Sequence, residues 1–190
     1  MKQNWIDFES EISRIIVLLE KAKSEYEKKA LIMTQKIPPS DAYNMMRNEL
    51  YPEEKNNIVS LSGRAFTYEK ETLLKDLNRL ISALEIYLAE YVSELNIPLY
   101  NSSIEKLTPT HILSFNYTNT YEKIYNIGCR RIEYDFIHGM AYKRNADFCN
   151  MVLGIDEYLT EEERQKNIEF IEFQKYYQRM QKRTECNYKK

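Results

Sequence analysis

Two long stretches of this chain repeat their apolar residues every three or four positions, and that period dictates helices before anything else is known. In the first, Trp5, Phe8, Ile12, Ile15, Ile16, Leu19, Ala22 and Tyr26 line one side of residues 5–31, with charges between them. In the second, Leu73, Leu74, Leu77, Leu80, Ile81, Leu84, Tyr87, Leu88, Tyr91 and Val92 do the same over residues 67–93. A stripe of that length has to be covered. Two of them most simply cover each other, as an antiparallel helical hairpin. Between them, Pro38-Pro39-Ser40-Asp41 ends one helix and caps a short one reaching Leu50, and the polar stretch 52–63 reads as a loop.

After Pro98 the texture changes. Residues 111–116, 132–137 and 150–155 are short and rich in β-branched or aromatic side chains, as strands of a buried sheet are. Residues 118–125 predict a helix directly after the first of them. Thr160-Glu161-Glu162-Glu163 is a capping box, and it opens a final helix with Ile168, Ile171, Phe173, Tyr176 and Met180 on its inner face. The chain therefore reads as α/β: one domain over 1–190, with a helical part over 1–97 and an α/β part over 98–190. About three short strands make a narrow sheet with exposed edges, so the domain is expected to be incomplete.

Composition removes several functions. With 27 basic and 29 acidic residues the net charge is −2, which gives no bulk electrostatic case for nucleic acid. The charge is uneven, with a basic excess from Lys166 to Lys190 where Tyr176, Tyr177 and Tyr188 also fall. That segment could touch phosphates or a lipid surface, or be a solvated helix face. Cys129, Cys149 and Cys186 form no CxxC pair, and neither histidine sits at ligand spacing from a cysteine, so reduced thiols are expected and zinc is not. The longest aliphatic run, Ile15-Ile16-Val17-Leu18-Leu19, is far short of a membrane span, and no signal peptide is visible. The expectation is a cytoplasmic protein without membrane contact. Only four glycines occur, and Gly63 stands apart from Gly128, Gly139 and Gly154. A pyrophosphate is ordinarily held by clustered glycines between strand and helix, so no such cradle is expected.

The candidate site lies at three strand ends, where open α/β sheets present their chemistry. The phrases are Ser114-Phe115-Asn116-Tyr117-Thr118-Asn119, then Ile137-His138-Gly139, then Leu153-Gly154-Ile155-Asp156. The Asn116 carboxamide can orient a water or hold a hydroxyl without carrying charge. Equally, Asn116, Thr118 and Asn119 could cap the helix that follows. His138 could serve as a general base near neutral pH, or be a half-buried histidine bonded to a carbonyl. Gly139 permits close approach of backbone or ligand. Asp156 could accept from hydroxyls or begin the next turn. His111 precedes its strand and reads as structural.

In this order and spacing, the three phrases resemble the bacterial AbiH family, named for abortive infection of phage-infected cells. Upstream, Asn4-Trp5-Ile6-Asp7-Phe8-Glu9 resembles the family's Trp-x-Asp-x-Glu segment. Downstream, Phe173-Gln174-Lys175-Tyr176-Tyr177-Gln178-Arg179-Met180-Gln181-Lys182-Arg183-Thr184 is similar to its basic, aromatic helix. Family members typically open with Gly-Asn-Gly-Phe-Asp and close with Gly-His-Ser-Leu; neither is present here, which implies the middle of a larger protein. The Phe-Asn-Tyr-Thr phrase with a later Ile-His-Gly is also similar to sirtuin-like NAD-cleaving domains. That likeness implies a partial sirtuin-like or Rossmann-like sheet and cleavage of a nucleotide such as NAD, with Asn116 positioning water or ribose and His138 as the base. It implies Phe115, Thr118, Gly139, Gly154 and Asp156 around the nucleotide, and no metal. Thr118 stands where the sirtuin-like phrase carries Asp. By itself the chain is expected to be inactive. The alternative is a helical interaction module without catalysis, acting on a phage-derived trigger or through self-association.

Overall fold

A computed structural model describes residues 8–32, 36–54, 58, 60–96, 101–126, 131–142, 149–155 and 168–184. Trp5, Asp156 and the 160–163 capping box lie outside them. The chain divides into two compact units: the first runs to Lys75 and takes in Glu169 and Phe170, the second runs from Asp76 and takes in Ile171 onward.

The first unit holds α1 (Phe8–Ala30), α2 (Asp41–Leu50) and the first part of α3 (Gly63–Glu90). Ser40, placed behind two prolines, caps α2 by accepting from the Tyr43 N–H at 3.3 Å. The loops flanking α2 are tied by the Leu61 N–H donating to the Ile37 carbonyl at 2.7 Å. Ile16, Leu19 and Ala22 on α1, and Ala42, Tyr43 and Met46 on α2, are buried, and the two helices pack on each other. The expected hairpin of the two long helices is thus replaced: α1 takes α2 as its main partner rather than α3. The start of α3 meets both of these helices. The Phe66 ring meets Tyr26 at 5.4 Å and Tyr43 at 5.7 Å. One turn on, Glu69 is 2 % exposed. It accepts from Arg47 at 2.9 Å and from the Tyr43 and Tyr51 hydroxyls at 3.2 Å each. A buried carboxylate needs such partners, and they draw α2 toward it.

In the second unit α3 continues with Leu77, Ile81 and Ala89 buried and ends in a 3-10 turn, Val92–Glu94. A one-turn helix that the apolar pattern does not announce, α4 (Ser102–Glu105), is capped by Asn101 Oδ1. Then come β1 (His111–Ser114), α5 (Thr120–Tyr125) and β2 (Glu133–Phe136). The strands pair in parallel, from His111 opposite Glu133 to Ser114 opposite Phe136. A parallel pair joined by a helix makes the chain α/β, and its strand ends point to one side.

The third expected strand differs. Residues 150–155 form no strand of the sheet, and Met151, Val152 and Leu153 are buried. Among the described residues, the segment's main-chain link to the end of β2 is the Val152 N–H, which donates to the His138 carbonyl at 2.9 Å. The final helix takes the place of a neighbouring strand. The Gln178 carboxamide accepts from the Leu153 N–H at 3.3 Å and donates to the Leu153 carbonyl at 2.9 Å. Ile155 N–H donates to Phe173, and Lys175 N–H to Ile155. That helix, α6 (Lys175–Lys182), therefore buries Lys175 and Gln178, while Met180, expected inside, is 61 % exposed. No helix among the described residues is long and apolar enough to cross a membrane.

Candidate functional site

The chain leaves β1 through a turn held by one hydroxyl. Ser114 Oγ accepts from the Asn116 N–H and donates to the Asn116 carbonyl, both at 3.2 Å. This fixes the Asn116 backbone while its side chain stays exposed. Tyr117 then anchors the turn to both neighbouring segments. Its hydroxyl donates to the Val152 carbonyl at 2.7 Å, and its own carbonyl accepts from the Ala141 N–H at 2.8 Å.

β2 delivers His138 to the same place. Its half-buried ring lies 6.3 Å from Phe115 and 6.2 Å from Tyr117, centroid to centroid, with Nδ1 enclosed by protein. Gly139 turns the chain with φ +79°, and a Cβ there would fall 2.2 Å from the Asn150 carbonyl oxygen. The Asn150 side chain accepts from the Met140 N–H at 3.0 Å, so the 139–140 turn and residue 150 are locked together. Phe115, Asn116, Tyr117, His138 and Gly139 thus converge where the two parallel strands end.

Gly154 and Thr118 make other contacts. Gly154 is buried, and a Cβ on it would meet the Phe173 carbonyl at 2.3 Å, so packing accounts for the glycine. Thr118 bonds to the Thr120 hydroxyl at 2.9 Å. It lines a cleft of about 340 Å³ with Asn119, Thr120, Glu122, Lys123, Val92 and Ser93. Asn119 stands at the N-cap of α5 but makes no side-chain cap bond, its amide going instead to Glu122. Lys123 donates to the Ser93 carbonyl and, at 2.9 Å, to that of Leu95. Asp156 lies outside the described residues. His111 is on the sheet surface beside Glu133, at 3.0 Å.

Tyr117 escaped the reading of the sequence. Its signal was there: an aromatic residue set among polar ones directly after a strand, where only a specific contact keeps it. A second group also escaped. Cys149, Glu85 and Lys182 meet in the second unit, with the thiol bonded to Glu85 and Lys182 Nζ donating to the Met151 carbonyl at 2.5 Å. Burial raises the Cys149 pKa above its ordinary value, the bond to Glu85 adding to this, and burial lowers that of Lys182. Lys175 is buried as well, so part of the basic excess faces inward. Among the described residues no cluster of His, Cys, Asp and Glu could hold a metal ion.

The fold and the site define a helix-rich α/β protein with an asparagine and a histidine at the ends of adjacent parallel strands. The model of the bacteriophage abortive infection AbiH family matches residues 1–190, and the chain belongs to that family. Membership supports a role in antiphage defence by abortive infection. No curated protein and no solved structure matches the chain.

Proposed function

We propose that the defence role runs through cleavage of a nucleotide such as NAD at a sirtuin-like site on the β1 and β2 ends. The single observation that carries this reading is the convergence of the Phe115–Tyr117 turn on His138, with ring centroids 6.3 and 6.2 Å apart. Nδ1 of His138 is enclosed by protein. In this reading Asn116 orients the attacking water or holds the ribose, and His138 takes the water's proton. The C–O bond to ribose forms as the bond to nicotinamide breaks. The described residues suit the ribose end of such a substrate better than its pyrophosphate. Gly139 and Gly154 are filled by the protein's own backbone, so neither opens a phosphate cradle. The test is His138→Ala in phage-infected cells, with cellular NAD followed alongside survival. Loss of protection and of NAD depletion at unchanged protein level is the expected result. Protection that persists in the variant removes His138 from the chemistry.

A second reading, a helical interaction module, draws on the end of α3. There Ile86, Tyr87 and Tyr91 are 60 %, 56 % and 67 % exposed, and the two tyrosine rings stack at 6.0 Å. Exposed apolar groups side by side suit a partner surface. Under that reading, Ile86→Asp with Tyr91→Asp abolishes protection while His138→Ala leaves it intact.

A further inference from the structure

β1 forms one edge of the sheet, and the ladder fixes where its main-chain groups point. Glu133 N–H donates to the Thr110 carbonyl at 2.9 Å and Ile137 N–H to the Ser114 carbonyl at 3.1 Å. With His111 opposite Glu133, this turns the main chain of Thr110, Ile112 and Ser114 toward β2 and that of His111, Leu113 and Phe115 outward. Among the described residues nothing bonds those outward N–H and C=O groups. The side chains of the same three residues share one face, because strand side chains alternate. They are open: Leu113 is 41 % and Phe115 64 % exposed, and the His111 side chain 72 %. Exposed edges are ordinarily guarded by lysine, proline, a bulge or an inward charge. His111-Ile112-Leu113-Ser114-Phe115 has none of these.

We infer that a second copy of this chain covers this edge, with its β1 antiparallel to the first about a two-fold axis at Leu113. The two sheets then become one of four strands, in the order β2, β1, β1, β2. In that register Leu113 faces the partner's Leu113, and His111 faces the partner's Phe115. Every outward main-chain group of the three residues finds a counterpart. Apolar meets apolar, an imidazole meets an aromatic ring, and no like charges oppose each other. This self-complementarity selects a second copy over an unrelated strand. The arrangement closes, because each chain spends its one open β1 edge. On the far side of the sheet the His138 carbonyl is already engaged by Val152. The inference is independent of the nucleotide reading, although Phe115 would carry the interface to the border of the His138 site.

Sedimentation of the 190-residue chain across a concentration series tests it. A reversible dimer is expected. Leu113→Pro removes an outward N–H and leaves the ladder to β2 intact, so it should give a monomer with unchanged far-ultraviolet circular dichroism. If that variant fails to fold, Leu113→Lys makes the same demand without touching the backbone. Leu113→Cys, mildly oxidised, should yield a covalent dimer, since hydrogen-bonded residues facing each other across an antiparallel pair lie within disulfide reach, about 5.5 Å between Cα atoms. A wild-type chain that is monomeric at every concentration overturns the inference. So does a dimer that survives both Leu113→Pro and Leu113→Lys, or one in which Leu113→Cys does not cross-link.

Discussion

At Gly139 the backbone takes a φ of +79°, and a Cβ built there would sit 2.2 Å from the Asn150 carbonyl oxygen. Left-handed backbone and lack of room act together, so Gly139→Ala should destabilise by more than the roughly 1 kcal/mol at stake where only φ is wrong. Urea titration checks this, and a variant as stable as the parent would mean that Asn150 can retreat. Tyr43 offers a test in pH. Burial first, and then the Glu69 carboxylate, push its pKa from 10.0 up to about 12. A group whose pKa is raised on folding contributes stability that is complete below its unfolded value and lost as pH climbs through the folded one. The parent should therefore lose stability between about pH 10 and 12, while Tyr43→Phe shows a shallower decline over that window and costs about 1 kcal/mol at neutral pH through the lost bond to Glu69. Equal alkaline slopes would remove Tyr43 from the account.

Secondary-structure elements divide into those the chain announces and those it does not. Helix α2 was legible because Pro38-Pro39-Ser40-Asp41 says where it starts, and β1 and β2 because β-branched and aromatic residues stop abruptly at polar ones. Asn116, His138 and Gly139 were legible for the same reason, as the residues at those stops. The 150–155 segment was not. Its composition is that of a strand, but its hydrogen-bond partner is a glutamine side chain twenty-five positions on, and no local pattern encodes that. The same glutamine explains why α6 shows Met180 to solvent: the helix is turned so that Gln178, 7 % exposed, reaches Leu153. Gln178→Ala should therefore cost about 1–3 kcal/mol, the penalty for leaving a buried main-chain group unmatched. Gln178→Glu, which keeps the acceptor but loses the donor to the Leu153 carbonyl, should be no better. Thermal melts of both variants decide the point; a neutral Gln178→Ala would mean that water reaches Leu153.

For the molecule as a whole, α3 is the element that both compact units share, since it passes without interruption from Gly63 to Glu90. Two units built on one helix should lose their structure together, because helix formation is cooperative along its length. Ile81 is 1 % exposed and lies in the second unit. Ile81→Ala should cost about 2–5 kcal/mol as a cavity. It should hasten amide exchange in α2 as well as in β1. Exchange that rises in the second unit alone would show that the shared helix can part at its middle. One further contact ties the end of this helix to α5. Its C-terminal 3-10 turn is held by Lys123, whose ammonium grips the Ser93 and Leu95 carbonyls from the first turn of α5. That grip is a drawbar: α5 begins where the Asn116 turn ends, so one ammonium hitches the tail of the long helix to the segment that carries Asn116.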